Sequence, residues 1–455
     1  MHLKNEKAKI FSFYHSGFYF YTMNRQLRQF AIICLSVFIA TPAFAQQDSL
    51  MFRKISDEIL LHGTCYDNLR VLCKTIGNRI SGSPAAAKAV QWGKNTMQAA
   101  GADNVWLQPA DVPVWRRGNE SLEFKYAGKK KFEKVTALSL GNSEGTGGKV
   151  VEAQVIMVHN FDEFKKLDAR DVTGKIVFFN YRFRQDFVHT FEGYGDAVVY
   201  RGNGANVASK KGAVGVIIRS MSTGADDFPH TGAMHYQDSV KKIPEMALGN
   251  YTADSLEHSC EKGEVRARMQ SECHMMPDKA HSYNVIGEIK GSLYPDRIIT
   301  VGGHLDSWDV GEGANDDGSG VVQAMEVIRT MKALGIKPKY TVRAVLFMNE
   351  ENGLRGGQAY SDSAGSKHEH HVLAIETDAG SFSPRGLGMV MNDTAKAGIL
   401  KYKDLFLPYG VYDFSEDEGG ADISPLHKDH HVPLMGLVPD SQRYFDVHHT
   451  TSKYL

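Results

Sequence analysis

Read for hydrophobic spacing, the chain changes character twice. From Ser49 to about Gly101 the apolar positions keep helical intervals, with Ile55 and Ile59 at i, i+4 and Leu69 and Leu72 at i, i+3. Ser83-Pro84 offers an N-cap followed by Pro at N1, which predicts an Ala-rich helix over 84–100 closed by Gly101. From about 119 to 280 the apolar residues collect in short runs (149–158, 175–180, 214–218) broken by Gly and charged turns. This block carries no dense cluster of catalytic groups and reads as an inserted β-rich domain. From Ser282 strand and helix alternate: strands over 283–289, 297–301, 341–348, 371–375 and 434–438, with a helix over 319–334 ending at Gly335. Alternation of this kind predicts an α/β fold whose parallel or mixed sheet has helices on both faces. The expected organisation is 1–45 leader, 46–118 and 282–455 as two parts of one α/β domain, and 119–281 as the insert.

The leader is a separate matter from the fold. Residues 23–29 carry two arginines, 30–41 form a short apolar run, and Ala43-Phe44-Ala45 precedes Gln46. A positive region, a short apolar region and an A-x-A site predict a secretory signal peptide, and a membrane-spanning helix would need about 20 apolar residues. Met23 is the expected start of translation, because signal peptides begin at the start codon. Export would leave Cys65, Cys73, Cys260 and Cys273, an even number, in an oxidising compartment. Local pairs Cys65/Cys73 and Cys260/Cys273 or four free thiols are both compatible with the spacing. No C-x-x-C occurs, which argues against a cysteine-based zinc site. Composition adds an exclusion: 52 Lys+Arg against 53 Asp+Glu gives a net charge of −1, without the basic excess that nucleic acid or an anionic membrane would select.

Candidate chemistry gathers where the C-terminal strands end. The strand over 297–301 runs into Gly302-Gly303-His304-Leu305-Asp306, that over 341–348 into Asn349-Glu350-Glu351, and that over 371–375 into Glu376-Thr377-Asp378. The loop after 434–438 leads to His448-His449. Ligands of open α/β sheets bind beyond the carboxyl ends of strands, so these segments should share one crevice. Asp316-Asp317 adds two adjacent carboxylates in a Gly-rich turn at a helix N-terminus, crowded acids that need cations for neutralisation. One His, a bridging Asp, a Glu-Glu pair, a further Asp and a late His would satisfy two divalent ions. Imidazole and carboxylate without thiolate suit catalytic zinc or a similar first-row metal.

These residues carry a resemblance. Gly302-Gly303-His304-Leu305-Asp306-Ser307-Trp308-Asp309, Gly313-Ala314-Asn315-Asp316-Asp317-Gly318, Asn349-Glu350-Glu351-Asn352-Gly353, Glu376-Thr377-Asp378-Ala379-Gly380 and His448-His449-Thr450-Thr451 stand in the order found in the co-catalytic zinc exopeptidases. The chain resembles that family over nearly all of 46–455, including Gly77-Asn78-Arg79-Ile80-Ser81-Gly82-Ser83 and a middle block similar to the protease-associated insert. The resemblance implies a three-layer α/β/α sandwich and two Zn2+ per chain. It gives one zinc to His304 and Asp378 and the other to Glu351 and His449, with Asp316 bridging. His449 is preferred to His448 because it directly precedes Thr450. Glu350 matches the general base that acts on a metal-bridging water, Asp306 the carboxylate that orients His304, and Asp317 the second residue of a cis peptide. The implied enzyme is an exported metallo-exopeptidase acting on dipeptides or short peptides, with a lean towards a homodimer. Its polarity as an aminopeptidase, carboxypeptidase or dipeptidase is left open.

Two rival readings remain at this stage. One is a binding protein that keeps the fold without catalysis, the other a glutaminyl cyclase-like acyltransferase. The first draws on the C-terminus, where Lys453 occupies the family's usual Asp position and the chain stops at Leu455 without the closing helix. Such an end predicts exposed apolar sheet and a loosened loop around His449, through either a shortened reading frame or a damaged second metal site. Blander expectations cover the remaining motifs. His368, His370 and His371, and equally His427, His430 and His431, read as solvent-facing loop; Ser81-Gly82-Ser83 reads as cap and turn; Asp422 reads as lining the substrate pocket.

Overall fold

The computed structural model describes residues 47–415 and 417–451, so the expected leader and the last four residues lie outside the description. The chain divides into two units, Met1–Asp57 and Glu58–Leu455. In the first, residues 47–57 are helical. The second contains both large sheets.

The first sheet has seven strands: β1 (Asn104–Val112), β2 (Ala280–Ile289), β3 (Tyr294–His304), β4 (Tyr340–Phe347), β5 (His370–Glu376), β6 (Pro384–Val390) and β7 (Leu434–Pro439). Their order is β1-β2-β4-β3-β5-β7-β6. The four central strands β4, β3, β5 and β7 run parallel, while β1 and β2 at one edge and β6 at the other are antiparallel. Period-two alternation divides the strands between two cores. Val285, Ala344 and Leu346 pack with Ala89, Val90 and Met97 of helix α1 (Pro84–Ala99) and with Val321, Met325 and Ile328 of α2 (Ser319–Ala333). Ile286, Val345 and Phe347 point the other way, onto Tyr360 and Ala364 of α3 (Arg355–Ser366) and Leu426 of α4 (Ser424–His430). The sheet is therefore covered on both faces, a three-layer arrangement. Ser83 caps α1 by accepting the N–H of Ala86, as the Ser-Pro signal predicts.

Two glycines let the site form at the carboxyl end of β3. A Cβ on Gly303 would collide with the Asp317 carboxylate, and one on Gly320 with the carbonyl of Thr377. Helix α2 can thus begin against the ends of β3 and β5. The connection through α2 joins β3 to β4, and α3 returns the chain from β4 to β5 on the other face. The chain reverses its winding at β3, where such sheets open a crevice.

The second sheet has eight strands, ordered Glu133–Val135, Glu120–Lys125, Arg266–Ser271, Val151–Val158, Ile176–Phe179, Gly215–Arg219, Glu245–Leu248 and Ala137–Ser139. The block is β-rich as expected, and it also carries helices that the spacing did not suggest. Its four strands from 151–158 to 245–248 are parallel, and helices Thr190–Lys210 and Asn250–Lys262 accompany them. Thr190–Lys210 contains Gly193, Gly195, Gly202 and Gly204, each disfavouring helix by about 1 kcal/mol relative to Ala, which hides it from a propensity reading. Packing recovers the cost: Gly193 lies against Phe183 and Gly204 against Val216 and Glu245, where side chains would not fit. A correction concerns the histidine run. His371 is buried in β5, within hydrogen-bonding distance of Thr300 Oγ1 (3.0 Å) and Glu369 (3.3 Å), instead of facing solvent. The cysteines Cys65, Cys73, Cys260 and Cys273 are free thiols. Among the described residues no helix is long and apolar enough to cross a membrane.

Candidate metal centre

All seven residues singled out from the sequence meet beyond the ends of β3, β4 and β5. His304, the last residue of β3, is buried, and its Nε2 lies 3.0 Å from Asp316 Oδ1 and 3.4 Å from Asp378 Oδ1. Its Nδ1 lies 3.0 Å from the main-chain carbonyl of Asp306 and 3.8 Å from that residue's carboxylate. Asp306 thus faces Nδ1 of the ring with its main-chain carbonyl nearer than its carboxylate. With Nδ1 turned to the carbonyl, Nε2 is the nitrogen presented to the acids and the one that would face a cation.

The Asp306 carboxylate works on the next turn instead. Its Oδ1 accepts the N–H groups of Asn349 (2.7 Å) and Glu350 (3.1 Å), and its Oδ2 accepts the Ser81 hydroxyl (2.9 Å). Asn349 has φ 75° and Leu354 φ 54°, left-handed positions that fold Glu350 and Glu351 back over the end of β4. Asn349 steadies this turn by donating to Ser81 Oγ.

Asp316 lies between two groups of ligands. The Asp316-Asp317 peptide is cis, as the resemblance implies. Asp316 Oδ1 faces His304, while its Oδ2 lies 3.0 Å from His449 Nε2, which is also 3.0 Å from Glu351 Oε2. Asp317 is directed away, accepting the N–H of His304 (3.0 Å) and of Gly320 (2.9 Å). His448 stacks on His449 at 3.5 Å between ring centres and reaches Asp316 Oδ2 only at 3.5 Å, so His449 holds the more central place.

The loop that carries His449 is fastened by the middle segment. Thr231 donates its N–H to the carbonyl of His449 (2.9 Å), Thr450 Oγ1 donates to the carbonyl of Pro229 (2.9 Å), and the buried His230 holds the carbonyl of His448 through Nδ1 (2.5 Å). Within the described residues, therefore, the loop does not have the looseness expected from the C-terminal sequence.

Electrostatics and distance both fit cations. Burial, followed by repulsion from neighbouring acids, raises Glu350 and Asp378 above the usual carboxylate range and Glu351 to about 7. Burial and Asp378 lift Glu376 to about 8. Burial opposes charge on His304 and His449, yet the surrounding acids override it and raise both, His449 to about 9. The acids thus favour positive charge at the two histidines, a place that divalent ions would take. Two donors bound about 2.1 Å from one tetrahedral ion stand roughly 3.4 Å apart, and the pairs here span 3.0 to 3.5 Å. His304, Asp316 and Asp378 form one compact candidate group, and Asp316, His448 and His449 another.

A cavity of about 530 Å3 opens on these residues, with Glu350, Asp378 and His449 on one side and Phe191, Tyr194 and Arg201 of the middle segment on the other. Asp422 is buried outside its lining; its N–H donates to Glu376 (3.3 Å), and burial with repulsion from Glu376 raises its carboxyl well above the usual carboxylate range. Sequence reasoning missed Ser81 as a partner of Asp306, and it missed Thr231, His230 and Arg201. For Ser81 the Ser-Gly-Ser motif was the available signal, read there as a cap.

Residues 284–454 match the profile of peptidase family M28. Carboxypeptidase Q of Homo sapiens is 35% identical over 386 residues, 85% of this chain and 79% of that protein, and the protein of the same name from Bos taurus is 34% identical over the same shares. A crystal structure of a peptidase M28 precursor from Shewanella amazonensis superposes with a TM-score of 0.84 at 31% identity, covering 89% of this chain and 91% of that one. A zinc aminopeptidase of Bacillus subtilis shares the fold with a TM-score of 0.61 at 21% identity, over 85% and 88% of the chains. On the strength of that identity, coverage and shared fold, the chain belongs to peptidase family M28 and is a metallo-exopeptidase.

Proposed function

We propose that the enzyme is an exported di-zinc exopeptidase that hydrolyses dipeptides or short peptides. The observation that carries this reading is the position of Asp316, whose two carboxylate oxygens each face a different histidine at 3.0 Å. His304, Asp378 and Asp316 would hold one zinc, and Glu351, His449 and Asp316 the other. Bound there, zinc would supply Lewis acidity, polarising the scissile carbonyl and making water acidic near neutral pH. Glu350 lies in the cavity wall without a ligand's place, and its raised pKa suits a group that takes a proton from water and returns it to the leaving amine. Asp306 holds Glu350 in place through the main-chain N–H of that residue.

The domain organisation follows from the same reading. Residues 46–118 and 282–455 make the peptidase domain, and 119–281 a protease-associated insert that walls the cavity and excludes folded proteins. Residues 23–45 support export, and the family resemblance supports a homodimer. Complete occupancy of the five ligand positions argues against a non-catalytic binding protein.

Elemental analysis together with hydrolysis of a panel of free and N-blocked dipeptides tests the proposal. Two zinc ions per chain and cleavage of the free dipeptides are expected. Absence of divalent metal from the active protein would overturn it.

A further inference from the structure

A second, smaller chamber adjoins the metal centre. It is lined by Trp308, Val310 and Ala314 together with Asp316, Glu351 and His449. Those last three also line the main cavity, whereas Glu350 and Asp378 line the main cavity and not the chamber. The two spaces therefore meet at the residues proposed to hold the zinc of Glu351 and His449, and they reach it from different sides. The chamber encloses about 30 Å3. A water molecule needs roughly 10–15 Å3 of such space, so two fit and a free amino acid does not.

The turn that walls the chamber is pinned open. Arg79 is fully buried and gives its three nitrogens to the carbonyls of Leu305 (2.6 Å), Glu312 (2.9 Å) and Gly313 (2.8 Å). Gly311 (φ 76°) and Gly313 (φ 58°) take left-handed backbone there, and a Cβ on Gly311 would stand 2.5 Å from the Thr450 carbonyl oxygen. Glu312 carries the wall to the surface, where its half-exposed carboxylate accepts from Lys74 Nζ at 2.6 and 2.8 Å. The chamber thus runs from solvent to the metal centre without passing through the main cavity.

The chemistry of its wall suits water. Trp308 Nε1 and Asn315 Nδ2 are buried donors without a protein acceptor, and both residues line the chamber. Buried donors of this kind ordinarily bond to water. Asp316 and Glu351 add acceptors on the shared wall. Hydrolysis consumes one water for each bond cleaved, and a peptide seated in the main cavity covers the approach past Glu350 and Asp378. We propose that the chamber holds water and admits it, along with anions of similar size, to the zinc of Glu351 and His449 while peptide occupies the main cavity. This rests on the di-zinc reading and adds a second entrance to the centre.

The test follows azide by visible absorption of the cobalt-substituted protein, with and without a saturating dipeptide analogue whose peptide bond is reduced to an amine. In wild type, azide should perturb the cobalt bands with an affinity that stays within a few-fold when the analogue fills the main cavity. Val310→Phe and Ala314→Leu fill the chamber from two places on its wall. Each should weaken azide on the analogue-saturated protein by on the order of 10-fold or more, with metal content and analogue affinity unchanged. Both should also lower the kcat for dipeptides without raising KM, since water and not peptide enters by this side. Exclusion of azide by the analogue in wild type would overturn the proposal, and so would unchanged azide binding in metal-loaded variants. The wild-type comparison needs neither variant, so it decides the matter even where a variant fails to fold. A metal-loaded wild type that hydrolyses no peptide would refute the exopeptidase reading, while azide still reports whether the chamber reaches the metal. Protein that binds no cobalt would refute both.

Discussion

Asp306 Oδ1 accepts the main-chain N–H of Glu350 at 3.1 Å, so the position of the proposed general base is set by a carboxylate 44 residues earlier in the chain. The same carboxylate also accepts from Asn349 and Ser81, three donors in a fully buried place. Asp306→Asn keeps the shape but replaces one acceptor oxygen with a donor. We expect a loss of about 2 kcal/mol in denaturant unfolding, and a fall in kcat that exceeds any change in KM, since Glu350 shifts while the cavity stays open.

Removing zinc should make stability depend on pH. Burial raises Glu350 and Asp378, Glu351 to about 7 and Glu376 to about 8. A carboxyl whose folded pKa lies above its unfolded value stabilises the fold below the unfolded pKa, and that contribution is lost as pH rises through the folded value. The chelated protein should therefore lose melting temperature between pH 6 and pH 8, and the increment restored by zinc should grow over the same interval. Scanning calorimetry with and without zinc measures both; a zinc increment that shrinks with rising pH would contradict the account.

Glu369 supplies the opposite sign far from the centre. Burial raises it, but His371 and Arg343 outweigh burial and lower its carboxyl to about 2. Its contribution is present above the unfolded value near 4.3 and disappears as pH falls towards 2. Glu369→Gln should cost about 1 kcal/mol at pH 7 once solvent screening is allowed for, and progressively less in acid, in urea titrations at each pH.

The fastening of the His449 loop predicts a kinetic effect on metal. Thr450→Val removes the bond from Thr450 Oγ1 to the carbonyl of Pro229 in a buried place, at a cost of about 1–2 kcal/mol. Zinc held partly by His449 should pass faster to a chelator than in wild type, while zinc held by His304 should leave at the wild-type rate. A zinc-release trace with one accelerated phase is the expected result.

Legibility in the sequence followed locality. His304, Glu350, Glu351 and Asp378 could be read because each stands within a few residues of the end of its strand, and the turn that presents it is written in adjacent residues. The alternation of strand and helix after Ser282 likewise announced a sheet covered on both faces, and Val285 and Leu346 do pack on one core while Ile286 and Phe347 pack on the other. Arg201 could not be connected with His449, 248 positions away, because only the second sheet brings them together. The helix that carries Arg201 was concealed by four glycines, two of which, Gly193 and Gly204, sit in close packing that propensity does not record. His371 looked exposed within a polar run, but its partners Thr300 and Glu369 are supplied by the sheet and by the turn before β5. Asp306 was recognised as part of the site, yet its action through the backbone of Glu350 depends on β3 and β4 ending side by side.

The measurement closest to the central claim is dipeptide hydrolysis by Glu350→Gln carrying its zinc. Glu350 lines the cavity and takes no ligand's place, so the variant should keep the wild-type metal content and bind substrate, with kcat lower by on the order of 100-fold or more. Hydrolysis at the wild-type rate by the zinc-loaded variant would contradict the account.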